Sequence, residues 1–248
     1  MRRATVLFLV LAGCSGPDRA APAQTEPRAE PGWTDLFDGA TLDGWHGYAA
    51  RTAPPAWTVQ GGVLTFVPGG QGGDLIAPGT WGDFELEVEW QLAPCGNSGV
   101  FYRGEEAPNL APVWRTALEA QIVDPCHPDA RYPSHRTGAL YDLYAPAQTA
   151  LSETAQPETT PAGAASRPAG AWTTLRIVAD GDRVEHWLDG RRVVEARQGS
   201  PEWNARLAVS KFRDGSAFPG YGTRRSGLIG LQDHGDTLRV RAVRIRPL

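Results

Sequence analysis

The feature that most limits what this chain can become is its rhythm of short alternating runs closed by tight glycine turns. Trp57-Thr58-Val59 and Val63 to Val67 flank Gln60-Gly61-Gly62, a hairpin signature. Phe84 to Trp90 alternates apolar and acidic residues, which predicts a strand with one face in water. Leu175 to Ala179, Val184 to Leu188 and Arg192 to Ala196 are joined by Asp180-Gly181-Asp182 and Asp189-Gly190, turns that predict a meander. Leu238 to Arg241 alternates too, and Val243 and Ile245 resume the pattern out of step, as a β-bulge would make them. Leu207-Ala208-Val209 reads as one more apolar strand before the Gly-rich loop from Gly215 to Gly222, and no segment carries a long helical period. The expectation is an all-β fold, two antiparallel sheets packed as a sandwich or jelly roll.

The two ends of the pattern are different in kind. Met1-Arg2-Arg3, the apolar run Val6 to Leu11 and Leu11-Ala12-Gly13-Cys14 follow the order of a signal peptide, and the run is too short to span a bilayer. Residues 1–13 are therefore read as a lipoprotein leader, Cys14 as the lipidated first residue, and 14–31, rich in Pro, Ala and charge, as a flexible tether. An ordinary leader with an incidental cysteine is the alternative. The expected location is the cell envelope, periplasm or surface, with the lipid bilayer as a partner through Cys14. Residues 32–248 would form the folded domain, interrupted by a bland Ala/Thr/Pro/Ser stretch from 145 to 170, read as a surface loop. The formal charge of −4, more negative once Arg2 and Arg3 are removed, argues against a nucleic-acid partner.

No phosphate loop, zinc-binding helix motif or nucleophile elbow is present; polar residues gather instead in a few strand blocks. Asn97 and Arg103 share one face of the run Asn97 to Arg103 by the period of two, as do Glu119 and Gln121 in Glu119 to Asp124; Arg103 is a binding group or a surface charge, and Glu119 and Gln121 are site contacts or simply a wet strand face. Asp124 either joins a site or starts a turn. Tyr141 is a packed aromatic or a stacking platform, and Trp45 or Trp114 could be a further stacking surface among tryptophans that are mostly core anchors. His186 alternates with Val184 and Leu188, which suits a core histidine as well as a binding one. Gln232, Asp233 and His234 end another strand, where a simple turn is the alternative. Lys211 is the chain's sole lysine among 24 basic side chains, and unlike Arg it can titrate when desolvated.

These blocks occur in one order: Asn-Ser-Gly-Val-Phe-Tyr-Arg, Glu-Ala-Gln-Ile-Val-Asp, Gly-Ala-Leu-Tyr, His-Trp-Leu-Asp-Gly and Gly-Leu-Gln-Asp-His-Gly. Together with Leu36-Phe37-Asp38-Gly39, Leu42-Asp43-Gly44-Trp45 and the Ser-Lys-Phe at 210–212, the series resembles the 3-keto-disaccharide hydrolase family. The resemblance implies a concanavalin-like jelly roll acting on sugars oxidised at C3. A C3 carbonyl acidifies the C2 proton; a base removes it, the enolate expels the C1 substituent, and water addition completes a hydrolysis. Such chemistry needs a base, an acid, and a cation or divalent metal ion for the enolate oxygen. No cofactor is dictated by the motifs, and the metal is left open. The expected catalytic set is His234, Lys211, Glu119 and Asp124. The expected substrate contacts are Asn97, Arg103, Gln121, Tyr141, His186, Gln232 and Asp233. A non-catalytic carbohydrate-binding module, or a structural surface protein, is compatible with the same fold.

With Cys14 lipidated, Cys95 and Cys126 remain. Pairing Arg103 with Glu119 across two antiparallel strands would bring them within one residue of each other, close enough for a disulfide.

Overall fold

The computed structural model describes residues 32–147 and 170–248. The leader, Cys14, the tether and nearly all of the 145–170 stretch lie outside the described residues. No helix among the described residues is long and apolar enough to cross a membrane.

The described residues form thirteen strands in two antiparallel sheets. The larger sheet comprises β1 (Thr34–Asp35), β3 (Trp57–Gln60), β4 (Val63–Phe66), β6 (Phe84–Leu92), β9 (Thr173–Asp180), β10 (Arg183–Leu188), β11 (Arg191–Arg197) and β13 (Leu238–Pro247). Its order is β11-β10-β9-β6-β13-β4-β3, with β1 on β13. The smaller sheet comprises β2 (His46–Gly47), β5 (Leu75–Ile76), β7 (Asn97–Gly104), β8 (Leu118–Val123) and β12 (Leu228–Leu231), ordered β2-β5-β12-β7-β8. This is the expected jelly roll.

The turns form where the sequence asks for them. Gly61 and Gly62 both have positive φ, 59° and 79°, and Gln60 pairs with Val63, as a two-residue primed turn requires. Asp189 and Gly190 do the same between β10 and β11. The expected slip in β13 is a register shift between Val240 and Ala242.

Period-two alternation then sorts the faces. Leu86, Val88, Leu175, Ile177, Val243 and Ile245 of the larger sheet meet Val100, Tyr102, Leu118, Ala120, Ile122, Ile229 and Leu231 of the smaller in one core. The outward residues of the larger sheet, Glu85, Glu87, Glu89, Arg176, Arg241, Arg244 and Arg246, form a ladder of ion pairs on the outside. The outer face of the smaller sheet is divided. At one end Ile76, Phe101 and Leu228 are covered by Val113 and Ala117. At the other end the strands present polar side chains.

One expected strand is a helix. Leu207-Ala208-Val209 closes α1 (Pro201–Val209). Ser200 caps it by accepting from the Trp203 N–H at 3.1 Å, and Pro201 and Glu202 occupy the first turn. Capping and Pro at the first position outweigh the weak strand preference of three apolar residues.

Candidate active site

The polar end of the smaller sheet opens into a pocket of about 370 Å³. Its walls are Gly73, Asp74, Asn97, Pro112, Trp114, Glu119, Gln121, Tyr141, Lys211, Gln232, Asp233 and His234. The sheet supplies the floor. β7 pairs with β8 so that Phe101 faces Glu119 and Gly99 faces Gln121, and the Gln232 N–H bonds the Gly99 carbonyl at 2.9 Å. Alternation then puts Asn97, Gly99, Glu119, Gln121 and Gln232 on the outer face together. Gly99 is needed there: a Cβ on it would come 2.5 Å from the Glu119 Oε1.

Two segments outside the sheet complete the walls. The loop after α1 brings Lys211, whose backbone N–H donates to the Asp142 carboxylate at 2.7 Å. Asp142 is also held by the His135 Nε2 at 3.2 Å. Lys211 Nζ sits 4.2 Å from the Tyr141 ring centre, 4.9 Å from Phe212 and 5.3 Å from Trp114. Tyr141 is backed by a stacked His135 ring 4.4 Å away.

The amides are linked. Gln121 Nε2 donates to Asn97 Oδ1 at 3.3 Å, and Asn97 Nδ2 lies 3.3 Å from His234 Nε2. The Asp233 carboxylate accepts from the Gly73 N–H at 2.7 Å, and the Asp233 N–H donates to Asp74 at 3.0 Å. Gln232 lines the pocket, and its Oε1 is buried with no hydrogen-bond partner among the described residues.

Burial sets the charges. It pushes the Glu119 carboxyl up to about 8, against the pull of Lys211. It raises Asp74 to about 7, with the Asp233 N–H opposing and the Asp233 charge adding. It also lowers Lys211 below its ordinary value, although Glu119, Asp142 and Asp129 work the other way. Two carboxyls that hold protons near neutrality therefore share one pocket with an amine, the arrangement proton-transfer chemistry uses.

Of the residues expected at a site, Asn97, Glu119, Gln121, Tyr141, Lys211, Gln232, Asp233 and His234 converge here. Others stand elsewhere. Arg103 has φ 52° at a register shift between β7 and β12, so the period of two breaks before it. Its guanidinium turns away from the pocket to the Asp83 carboxylate, the Gln198 side chain and the Gly181 carbonyl. His186 is fully buried between the sheets, donating from Nδ1 to the Gly138 carbonyl at 3.0 Å and accepting the Tyr102 hydroxyl at 2.9 Å. Burial holds it down at about 4, a neutral packing histidine. Asp124 starts a turn, accepting from the Cys126 N–H at 3.0 Å. Trp45 is core, its indole N–H bound to the Leu36 carbonyl.

Asp74 was not expected. It precedes β5, a two-residue strand too short to show alternation; its one sequence signal is the Gly72-Gly73 before it. Cys95 and Cys126 are bridged, with Cα atoms 4.9 Å apart. The register is two residues from the expected one, with Phe101 rather than Arg103 opposite Glu119, and an even slip keeps both the faces and the proximity.

Among the described residues, the His, Cys, Asp and Glu side chains that gather in threes within 4.8 Å are Cys95, Asp124 and Cys126. Both sulfurs are consumed in the disulfide. The pocket's own acids and His234 are not among the groups drawn that close.

The comparisons agree with the geometry. A 3-keto-disaccharide hydrolase of Bacteroides thetaiotaomicron is 29% identical, the match covering 96% of this chain and 94% of that protein. A Parabacteroides distasonis crystal structure assigned as a candidate glycosyl hydrolase superposes with a TM-score of 0.73 at 26% identity, over 91% of this chain and 98% of that one. A second such structure from the same organism, at 22% identity and a TM-score of 0.62 over 87% of this chain and 99% of that one, shares the fold. The family described as the 3-keto-alpha-glucoside-1,2-lyase-like domain matches residues 32–246, and the chain belongs to that family.

Proposed function

We propose that this protein cleaves 3-keto-glycosides, 3-keto-disaccharides among them, by C2 proton abstraction, elimination and rehydration. The observation that carries this reading is the pair of proton-holding carboxyls, half-buried Asp74 and buried Glu119, in one pocket with Lys211. Family membership and the named relative support the substrate class.

Asp74, which gives up its proton first, takes the C2 proton of the ketosugar. The electron pair moves to the C3 oxygen, whose developing charge the Lys211 ammonium meets. The enolate collapses, the C1–O bond breaks, and Glu119 delivers its proton to the departing oxygen. Release at this point leaves an unsaturated ketosugar, the lyase outcome. For hydrolysis, water adds at C1 as Glu119 takes its proton, and Asp74 returns a proton to C2. Asn97, Gln121, Gln232, Asp233 and His234 hold sugar hydroxyls. Elimination assisted by a carbonyl does not need the opposed nucleophile of ordinary glycosidases.

The test uses three 3-keto-glucosides that differ in leaving group: fluoride, nitrophenolate and a second sugar. Asp74→Asn is expected to slow all three, by roughly 10²- to 10⁴-fold. Glu119→Gln is expected to slow the disaccharide by a similar factor and to spare the two activated leaving groups. A wild-type protein that binds these ketosugars without turning any over would make it a binding module instead.

Export and anchoring at the cell envelope are part of the proposal. They rest on the leader pattern and Cys14, and are tested by palmitate labelling that Cys14→Ala should abolish.

A further inference from the structure

The pocket is chemically lopsided. Most of its lining carries amides, carboxyls and an amine, while Pro112 and Trp114 supply an apolar stretch of wall. Trp114 is 36% exposed, unusual for so large an apolar side chain.

It is not a loose surface residue. Val113 before it is fully buried as the plug over Ile76 and Phe101. Arg115 after it donates from Nε to the Ala217 carbonyl at 2.8 Å. Phe218 backs the indole at 5.8 Å between ring centres. A ring fixed on both sides along the chain and braced from behind, with area left open on a pocket wall, is a stacking platform. Its edge of the pocket is also the Lys211 edge, since that amine lies between Trp114 and Tyr141.

We infer that Trp114 is the leaving-group platform: it stacks the flat face of the group attached at C1, an aryl ring or the apolar face of a second sugar, while the ketosugar lies over the polar floor. The inference rests on the proposed function and adds the direction in which the substrate lies. A polar ketosugar, with hydroxyls to satisfy, belongs over Asn97, Gln121 and Gln232. The group to be expelled needs contact without being held by directed bonds.

The same three ketosugars test it. Trp114→Ala is expected to lower kcat/KM for the nitrophenyl glucoside and the disaccharide by about tenfold relative to the fluoride, the size of one good stacking contact. Trp114→Phe should recover part of that. The pattern differs from Glu119→Gln, which separates the disaccharide from both activated substrates. If Trp114→Ala slows all three equally while the wild type cleaves them, the platform is overturned and the proposed chemistry stands. If the wild type cleaves none, both fall.

Discussion

Substituting Gly99 by Ala should separate the chemistry from the fold. The added Cβ would lie 2.5 Å from Glu119 Oε1, 3.0 Å from its Cγ and 3.1 Å from its Cδ. Ordinary contact needs about 3.5 Å, so the carboxyl must retreat by about 1 Å. Glu119 is 4% exposed, with Lys211 and Gln232 beside it, and has little room to give. A displacement of that size at a proton donor costs about a hundredfold in rate. The backbone is undisturbed, because Gly99 is an ordinary strand residue without positive φ. Loss of glycine's unfolded-state freedom favours the variant by about 0.4–1 kcal/mol, offsetting part of the collision. The melting temperature should therefore stay within about 4 °C of wild type. The assay is kcat/KM on a 3-keto-disaccharide beside a thermal melt, with Gly82→Ala, whose Cβ meets nothing within 4 Å, as control. A Gly99→Ala protein with activity within about threefold of wild type would refute the assignment of Glu119 as a group held in place for proton transfer.

Other outcomes follow from the same geometry. The pH profile of kcat/KM should be bell-shaped about neutrality, rising as Asp74 loses its proton near 7 and falling as Glu119 loses its own near 8. Glu119 binds its proton more tightly folded than unfolded, so wild-type stability should drain away between pH 4.5 and 8. Glu119→Gln lacks that loss, so its melting temperature relative to wild type should climb from pH 5 to pH 9; a flat difference would contradict the burial argument. Lys211→Met and Lys211→Arg should both lose turnover, the first more; near-normal rates in both would remove Lys211 from the chemistry. Arg103→Ala should destabilise by about 1–3 kcal/mol, chiefly by leaving the buried Gln198 Oε1 without its donor, with KM unchanged at temperatures where it is folded. Replacing Cys95 and Cys126 by Ser opens a 31-residue loop and should cost about 3–4 kcal/mol, read by denaturant unfolding.

Much of this molecule is legible in its residues, for identifiable reasons. β6 alternates because one face packs and the other pairs acid with arginine, and both demands are written residue by residue. Asn97, Glu119 and Gln121 are polar where their strand neighbours are apolar, so the floor of the pocket announces itself. Lys211 stands out by its chemical type against a background of arginine. Parity arguments fail where parity is broken. Arg103 follows a left-handed residue geometry that no local sequence pattern marks, and it leaves the face its spacing assigned. Asp74 depends on contacts with residues near 233, a separation that no window along the chain can see. The end of α1 was misread because the cap that decides it, Ser200-Pro201, lies several residues upstream of the apolar triplet.

The placement of β13 has a kinetic consequence. Its ten residues, Leu238–Pro247, lie in the middle of the larger sheet, bonded to β6 on one side and β4 on the other, with β1 also pairing onto the strand. Nothing on either side can substitute for it. A chain emerging from the ribosome therefore cannot join β4 to β6 until β13 has been made, and contacts of such high sequence separation form slowly even then. The domain cannot be assembled in halves, and loss of this strand would leave β4 paired with β3 alone, β6 paired with β9 alone, and the core between them open to water.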